Sequence, residues 1–410
     1  MSMSAQTSAP GPTRQPDKIA RFLGSESDYW RLVIRGNALT AVTLGIYRFW
    51  FATDIRRFLW SNTEIGGETL EYTGRGLELF LGFLIAIAVL LPIYVIFALL
   101  PARGGGLFAL VILWLGQFAV YRARRYRLTR TIFRGVRLHQ TGSAVGYAFR
   151  SFGWWFLILL TLGLAYPWAQ ANLERYKMRN TFYGDLPGHF AGTGTSLFVS
   201  GIGLWIVVVA PLLAGLVATP LLSSSNGANT KTAVTSILGG TLTWSVLAAI
   251  LLYPAFEALT LRWWLSGVRF GDIAVTSFLR TGRIYGVWLR FLLYALLLGL
   301  VTVVVVAILA AVFGSLATVG GLFTGTGTIR PPTSTAAQWV AGGIGLVIYV
   351  AVVLCYSALY QVVVKLALWG LAVESLDIAN FQMVELVKAE GTLSSPFGEG
   401  LADALDVGGV

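Results

Sequence analysis

Charged side chains are scarce in this sequence, because Asp, Glu, Lys and Arg together make up only 12% of its 410 residues. A soluble domain of ordinary composition carries about twice that fraction. Hydrophobic residues account for 56% of the chain, and the mean hydropathy is +0.72. So much apolar surface cannot be kept in water with so little charge. The composition therefore excludes an ordinary soluble protein and predicts a polytopic membrane protein.

Cysteine and histidine are almost absent. Cys355 is the single cysteine, and His139 and His189 are the only histidines. One cysteine cannot form a disulfide within the chain, and no spacing typical of a Cys or His metal site occurs. The sequence also lacks HExxH, Gly-x-Ser-x-Gly, Ser-x-x-Lys and Gly-Lys-Ser/Thr motifs. We therefore expect no metal, no cofactor and no enzyme of a known motif class; a membrane-embedded enzyme ranks third among the functions considered.

Acidic residues are outnumbered 19 to 30 by Lys and Arg, which gives a net charge of +11. The arginines lie beside apolar runs, as in the cytoplasmic loops of membrane proteins, so the predicted partners are anionic lipid headgroups and not nucleic acid. Residues 122–150 hold eight arginines and no acid, which predicts a cytoplasmic loop. Residues 1–20 and 389–410 are predicted to be disordered tails, and the first lacks the apolar core of a signal peptide.

An internal duplication organises the chain, because a motif that begins at Thr43 recurs about 118 residues later. Among the paired positions are Thr43 and Thr161, Gly45 and Gly163, Trp50 and Trp168, Arg57 and Arg175, Asn62 and Asn180, Gly74 and Gly192, and Gly76 and Gly194. A divergent third copy follows at Arg262-Trp263 and Gly271-Asp272, and a weak fourth trace lies at Arg125-Tyr126 with Thr131. We predict repeat units over residues 21–122, 123–261 and 262–388.

Long apolar runs predict six transmembrane helices. They cover residues 77–100, 107–121, 196–222, 240–261, 291–313 and 339–360. Two further apolar segments, 38–52 and 154–168, have only about fifteen residues each, and a full span needs about twenty. If neither crosses, six spans form three helical hairpins; if both cross, eight spans make the two copies inverted repeats. The charge pattern favours six, with the basic loops and both termini in the cytoplasm.

The predicted fold class is therefore an all-α polytopic bundle of six to eight transmembrane helices with internal repeats. Small cytoplasmic elements accompany the bundle. Gly66-Gly67, flanked by alternating apolar residues, predicts a β-hairpin, and residues 365–388 predict an amphipathic helix on the bundle or the membrane surface.

The repeated motif resembles the YjgN-like family of bacterial inner-membrane proteins. The residues that carry the resemblance are Thr43 to Leu79, Tyr166-Pro167-Trp168, Asn180-Thr181, Arg262-Trp263-Trp264 and Ser266-Gly267. The resemblance covers residues 21 to 388 approximately and implies a polytopic inner-membrane protein. It brings no catalytic residues with it, because the family has no established molecular function.

Three arginines recur at equivalent places, each followed by an aromatic residue: Arg57, Arg175 and Arg262. A guanidinium pairs bidentately with phosphate, so these residues are candidates for binding a lipid headgroup or an anionic substrate. The plainer interpretation is interfacial anchoring, in which the guanidinium reaches the headgroups and the aromatic ring lies in the interfacial belt.

The other repeated polar and glycine positions favour turns over ligands. Gly74, Gly76, Gly192 and Gly194 each precede a membrane helix, where a tight turn is expected more than an anion site. Asn62 and Asn180 are expected to hydrogen-bond their own turns.

Four residues are candidates for lining a solute pathway: Thr43, Thr161, Glu78 and Glu257. The two glutamates lie at or inside membrane segments, where an ionisable group suggests function by default. For Glu257 the alternative is an ion pair with Arg262, and Glu78 has the alternative of a favourable position at a helix N-terminus.

Two functions remain open from the sequence. Duplicated bundles with short broken helices favour a transporter or channel-like protein. The alternative is a non-transporting protein that binds anionic headgroups or scaffolds partners through the arginine–aromatic motifs. The nearly apolar stretches 84–91 and 297–309 argue against a wide polar pore.

Overall fold

A computed structural model describes residues 19–100, 104–223, 228–323, 335–391 and 393–405. These residues are mostly helical. The helices are α1 (Glu26–Val42), α2 (Arg48–Ser61), α3 (Gly76–Ala98), α4 (Gly104–Thr129), α5 (Ala144–Leu160), α6 (Tyr166–Arg179), α7 (Gly194–Ser223), α8 (Ala228–Gly267), α9 (Thr281–Phe323), α10 (Thr335–Leu359), α11 (Ala367–Glu374) and α12 (Phe397–Ala404). The predicted tail 1–20 lies outside the described residues as far as residue 18.

Eleven short strands within the described residues form two antiparallel sheets. They are β1 (Ala20–Phe22), β2 (Thr63–Ile65), β3 (Glu68–Thr69), β4 (Glu71–Tyr72), β5 (Thr131–Phe133), β6 (Val136–Gln140), β7 (Thr181–Tyr183), β8 (Leu186–Phe190), β9 (Val268–Phe270), β10 (Ile273–Ser277) and β11 (Leu376–Ala379). Strands β1 to β3 form one sheet. Strands β4 to β11 form a curled eight-stranded sheet in which chain neighbours are also spatial neighbours.

The sheet corrects the prediction of an all-α fold with small separate hairpins. Hairpin turns occur after β2, β5, β7 and β9, including one in the weak fourth trace of the motif, where Arg134 and Gly135 have φ of 49° and 74°. Each hairpin is short, and long helices separate most of them in sequence. Only the tertiary arrangement brings their edges together, which satisfies backbone groups that an isolated hairpin would expose.

Six helices in the described part of the chain are long and apolar enough to cross a membrane. They cover Gly76–Ala98, Gly105–Thr129, Gly194–Pro220, Thr232–Gly267, Thr281–Leu309 and Gly342–Glu374. The three helical hairpins that they form each leave the sheet after one strand and return to it at the next. The sheet therefore lies at one end of all six helices, and the described residues contain six candidate spans.

The two short apolar segments, 38–52 and 154–168, are the turns of helix pairs. Helix α1 reverses into α2 at residues 43–47, and α5 reverses into α6 at residues 161–165. Both turns place a leucine and then a glycine in the left-handed region, with φ of 51° and 92° in each. A helix of 17 residues, such as α1 or α5, is about 25 Å long, less than the roughly 30 Å of a hydrocarbon core.

The tips of the two helix pairs are apolar and open to the surroundings. Leu44 is 93% exposed, and Leu162 and Leu160 are exposed as well. The opposite ends of α1 and α2 connect to β1 and β2 of the three-stranded sheet, and those of α5 and α6 connect to β6 and β7 of the eight-stranded sheet. Exposed leucines at such tips favour lipid over water as their surroundings.

Two segments differ from their predicted local structure. Residues 122–150, predicted as a loop, are the end of α4, the strands β5 and β6, and the start of α5. Residues 365–388, predicted as an amphipathic helix, begin inside the last span, which contains a π-helical segment at Tyr360–Leu366 and then α11. Strand β11 and a 3-10 segment at Phe381–Leu386 follow. An arginine-rich or amphipathic pattern therefore does not show where helices and strands begin and end in these two segments.

The C-terminal stretch is not a disordered tail over residues 397–404, because α12 packs between α3 and α4. Small residues permit the close approach. A Cβ atom on Gly400 would lie 1.9 Å from the carbonyl carbon of Gly82, and Ala86, Ala119 and Ala402 are buried in the same contact. Composition suggested disorder, but glycine and alanine are also the residues that allow helices to pack closely.

Glu399 of α12 joins a buried charged cluster. Its Oε1 accepts a hydrogen bond from Arg56, and its Oε2 lies 3.9 Å from Nε of Arg127. The side chains of Arg56 and Glu399 are only 3% and 5% exposed. Arg56 also donates to the Tyr72 hydroxyl at 3.2 Å, and burial raises the pKa of Tyr72, which keeps that hydroxyl protonated. The cluster ties α12 to α2, α4 and the sheet.

Removing the charge of Glu399 should destabilise the fold strongly. Glu399→Gln keeps the side-chain shape but leaves buried guanidinium groups without a carboxylate, a loss of about 3 kcal/mol or more. Thermal unfolding of purified protein in detergent measures the change. The control is Glu385→Gln, because Glu385 is 73% exposed and 3.8 Å from Arg134, which predicts less than about 0.5 kcal/mol. Equal melting temperatures for both variants would contradict the importance of the cluster.

The hairpin turns should all be accessible from the same side of the membrane. In a Cys355→Ser background, single cysteines replace the exposed residues Glu68, Asp185 and Asp272, with Leu99 at the opposite end of α3 as the reference. An impermeant thiol reagent, applied to right-side-out and inverted vesicles, should label the three hairpin positions in one preparation and position 99 in the other. Opposite labelling of positions 68 and 185 would instead indicate inverted repeats.

Candidate functional site

The recurring arginines bridge from one element to the loop that enters the next helix. Nη2 of Arg57 donates to the carbonyl of Gly74 at 2.8 Å, and Nη2 of Arg175 donates to the carbonyl of Gly192 at 3.0 Å. Arg125 makes the same bond to Gly142, again 17 residues ahead. The spacing recurs because each arginine reaches across one β-hairpin. These three guanidinium groups therefore hold the backbone, which leaves only part of their donors for a ligand.

Arg262 occupies a different environment. No hydrogen bond or ion pair joins it to another described residue. It lies beside a cavity of about 320 Å³ together with the hydroxyls of Thr193, Ser196 and Ser266. The predicted ion pair between Glu257 and Arg262 is absent from the ion pairs of the described residues.

The asparagine and glycine positions of the motif shape turns. Nδ2 of Asn62 donates to the carbonyl of Phe58 at 2.8 Å, and Nδ2 of Asn180 donates to that of Tyr176 at 2.7 Å. Gly76 and Gly194 pack on tryptophan backbones, since a Cβ atom would lie 2.7 Å from the Cα of Trp50 and 2.8 Å from that of Trp168. A side chain cannot fit at either glycine, so the plainer interpretation accounts for their recurrence.

Three of the four candidate pathway residues have local partners. The hydroxyl of Thr43 donates to Leu39 and accepts from the Tyr47 amide, and Thr161 repeats this pattern with Leu157 and Ala165. Glu78 accepts from the Tyr126 hydroxyl at 2.7 Å and from Arg130 at 2.8 Å. The structure does not bring these three together, and only Glu257 of the four reaches a cavity shared by several elements.

That cavity, which we name the central chamber, has a volume of about 460 Å³. It lies among α1, α2, α6, α7, α8, the π-helical segment and α11, so the parts of the chain that line it are far apart in sequence. Its polar lining includes Glu257, Lys365, Gln170 and Tyr29. A cavity of this size with a largely apolar wall and a few polar groups is typical of a small-molecule site.

Two opposite charges face the central chamber from membrane-spanning helices. Glu257 lies on α8, and its Oε2 accepts a hydrogen bond from the indole of Trp288 at 2.6 Å. Lys365 lies in the π-helical segment, with its Nζ 5.9 Å from the centre of the Tyr360 ring. Within the described residues, neither charge is ion-paired. Both residues lie in helices long and apolar enough to span a membrane, where an ionisable group without an ion-pair partner is a candidate functional residue by default.

The π-helical segment gives Lys365 its position. Residues 360–366 interrupt the α-helical pattern of the last span, and four residues of this segment are fully buried: Val362, Val363, Val364 and Leu366. A π turn inserts an extra residue into the helix and re-aims the side chains that follow, and such segments occur frequently at functional sites. The apolar side chains anchor the segment while Lys365 faces the chamber.

Aromatic rings form the walls of the central chamber. The indoles of Trp264 and Trp369 are held from outside, because they donate to Glu174 at 3.1 Å and to Thr63 at 3.0 Å. Tyr29 is 0% exposed, and its hydroxyl has no hydrogen-bond partner in the described structure. Burial raises the pKa of Tyr29, so the hydroxyl remains a neutral donor. An unpartnered buried hydroxyl on the wall is available to a ligand.

Two further clefts lie inside the short helix pairs. The first arginine cleft, between α1 and α2, has a volume of about 500 Å³ and contains Arg31, Arg35 and Arg57 with Asp54. The second arginine cleft, between α5 and α6, has a volume of about 450 Å³ and is lined by Arg150, Arg175 and Arg179 without an acidic residue. The two clefts occupy corresponding places in the duplicated segments.

Comparison with known proteins places the chain in a bacterial protein family. A family profile described as "Bacterial protein of unknown function (DUF898)" matches residues 18–301, more than half of the chain. The chain belongs to this family. The description of the family names no activity. A functional proposal therefore depends on the geometry of the chamber and of the clefts.

Two curated relatives are similar to part of the chain. Both are named "Inner membrane protein YjgN", one from Escherichia coli (strain K12) and one from Escherichia coli O157:H7. Each is 26% identical over 144 residues, which is 35% of this chain and 35% of the relative. No solved structure matches the chain. The resemblance inferred from the repeated motif is thereby confirmed, and six apolar helices agree with a multi-pass inner-membrane protein.

The sequence does not single out every residue of the chamber. Lys365 lies in a stretch whose amphipathic pattern predicts a surface helix, Tyr29 recurs as Tyr147 within the duplication, and Gln170 is the neutral counterpart of Glu257 in an earlier copy. One signal was available: Lys365 is an isolated lysine close to a long apolar run, and Glu257 is an isolated acid in another. Among the described residues, no group of three or more His, Cys, Asp or Glu side chains could hold a metal ion.

Proposed function

We propose that this protein binds a small solute in the central chamber and carries it across the inner membrane as a transporter or channel-like protein. The observation that supports the proposal is the pair of unpaired charges, Glu257 and Lys365, on two membrane-spanning helices that face one cavity. Such charges are retained in membrane helices where they bind a substrate, an ion or a proton.

The arrangement of elements around the chamber supports movement as well as binding. The walls come from both short helix pairs and from two membrane-spanning hairpins. We infer repeat units over residues 21–122, 123–261 and 262–388, because the arginine-to-glycine bond recurs at a spacing of 17 residues in the first two. Relative rocking of such units around a shared site is the usual basis of alternating access.

The membrane spans favour a compact binding site over an open pore. Between residues 84 and 91 and between 297 and 309 the side chains are nearly all apolar, and many of them are exposed to the surroundings. A continuous aqueous channel needs polar groups along its whole length. Polar groups are instead concentrated near the sheet end of the bundle, which we assign to the cytoplasm because of its high arginine content.

Filling the central chamber should abolish transport. Ala372→Trp places a large ring on the chamber wall, and we expect at least a tenfold fall in uptake because the solute site is blocked. The measurement is uptake into proteoliposomes from a panel of radiolabelled amino acids, amines, carboxylates and sugars, with protein-free liposomes as background. Leu300→Trp is the control, since Leu300 lies on the exposed face of α9.

Uptake by the wild-type protein and the two variants decides the proposal. A solute that wild-type protein and Leu300→Trp take up, and Ala372→Trp does not, supports transport through the chamber. Uptake that is equal in all three proteins, or absent for the whole panel, contradicts it.

A second candidate function is the binding of anionic lipid headgroups. The observation that favours it is the second arginine cleft, where Arg150, Arg175 and Arg179 converge without an acidic residue. Arg150 is stacked over the ring of Tyr176 at 4.5 Å, which orients its guanidinium. Basic pockets between membrane helices on the cytoplasmic side bind phosphate-bearing headgroups.

Neutralising the second arginine cleft should weaken the binding of anionic lipid. The double variant Arg150→Gln/Arg179→Gln leaves the backbone bond of Arg175 intact and removes two charges, worth about 1 kcal/mol each near the surface. We expect a roughly thirtyfold loss of affinity for cardiolipin or phosphatidylglycerol, measured by lipid titration in nanodiscs. The control, Arg280→Gln/Arg290→Gln, removes two exposed arginines that line neither cleft. Equal losses for both pairs would contradict a specific headgroup site.

A further inference from the structure

We propose that the ligand of the central chamber is a zwitterion with its ammonium group at Glu257, its acid group at Lys365 and an apolar body between them. This inference rests on the proposed function of the chamber as a solute site and names the chemical class of that solute.

The carboxylate of Glu257 defines the cationic end. One of its oxygens accepts a hydrogen bond from Trp288, but an indole N–H brings no positive charge. The described ion pairs do not include Glu257. A carboxylate in low-dielectric surroundings is strongly stabilised by a cation, and the charge-assisted hydrogen bonds of an ammonium group are about twice as strong as neutral ones.

The ammonium of Lys365 defines the anionic end. It has three N–H donors, and none of them is bound to a described residue. Its Nζ lies 5.9 Å from the centre of the Tyr360 ring. The face of that ring provides a weak attraction and leaves the donors for a carboxylate, a sulfonate or a phosphate. Because Lys365 lies within the π-helical segment, its position is set by the buried residues beside it.

Glu257 and Lys365 do not neutralise each other directly. Nζ of Lys365 lies 5.9 Å from the centre of the Tyr360 ring. The Tyr360 ring centre is in turn 6.4 Å from that of Trp288, and the Trp288 indole donates a hydrogen bond to Glu257. Contacts therefore pass from one charge to the other through two aromatic rings. A ligand that contacts both ends must carry an ammonium group and an acid group joined by a spacer, and ω-amino acids supply that spacer in graded lengths.

The remaining wall of the chamber suits such a body. Trp264 and Trp369 present fixed rings to it, and the unpartnered hydroxyl of Tyr29 and the amide of Gln170 add hydrogen-bonding groups. An alkyl or aromatic spacer would bury apolar surface against these rings. A simple anion would leave Glu257 without a partner and a simple cation would leave Lys365 without one, so neither completes the site.

The test is a binding series with matched charges. Purified full-length protein in nanodiscs is titrated by calorimetry with ω-amino carboxylates from 4-aminobutanoate to 8-aminooctanoate. The alkylamine and the alkanoate of each chain length are the singly charged controls. We expect one or two adjacent lengths to bind at least tenfold tighter than both of their controls, because each end of the zwitterion gains a charge-assisted contact.

Variants assign the two ends. Glu257→Gln should reduce the affinity of the best zwitterion about tenfold and leave that of its alkanoate unchanged. Lys365→Met should do the reverse, reducing zwitterion affinity and leaving the alkylamine unchanged. Glu385→Gln, on the exposed side of the sheet region, should bind like wild-type protein. This crossed pattern would not follow from general loss of structure, which weakens all ligands together.

Two results would contradict the proposal of a zwitterionic ligand without contradicting the proposed transport function. In one, the alkylamine or the alkanoate binds as tightly as the best zwitterion. In the other, no member of the series binds at millimolar concentration although Ala372→Trp still blocks uptake of a solute from the panel. Failure of the proposed function itself has a different signature, because uptake would then be insensitive to Ala372→Trp.

Discussion

Hydrogen bonding between short strands is the constraint on which the rest of this structure depends. Each hairpin has only two paired residues per strand, too few for independent stability. Joined edge to edge, strands β4 to β11 satisfy one another's backbone hydrogen-bonding groups. They also attach the ends of the six long apolar helices to one sheet. Because every helical hairpin starts and finishes there, the number of crossings and the common side of the motifs follow from strand pairing.

The central chamber is a consequence of this attachment. Helix pairs too short to cross the membrane return to the sheet beside the long spans, and the space among them is closed by α8 and the last span. Two isolated charges then share one cavity although they are separated by more than a hundred residues. The Arg57–Gly74 bond and the buried Arg56–Glu399 contact attach α2, one wall of the chamber, to the loop before α3 and to α12.

Much of the architecture was predictable from sequence, and the failures have identifiable causes. Apolar length located the six spans, and the recurrence of Arg57 and Asn62 at Arg175 and Asn180 located equivalent turns. Residues 122–150 have the charge density of a loop, but charge does not interrupt a helix, and α4 continues as far as Thr129. Sequence does not predict the C-terminal helix, because Gly398, Gly400 and Ala402 are typical of disorder in isolation and permit close packing only when Gly82 lies opposite. The position of Lys365 is not predictable either, because a π turn leaves no pattern in the sequence.

The sequence by itself determined that this is a polytopic membrane protein of six to eight predicted spans with a repeated arginine–aromatic motif, because transfer of apolar side chains into lipid depends on composition and length alone. Tertiary structure decided what the motif does and where a site can form. Pairing of distant strands, the fit of α12 against α3 and the meeting of Glu257 with Lys365 across one chamber depend on contacts between residues far apart in the chain. Such contacts depend on shape and charge in three dimensions, which local periodicity does not record.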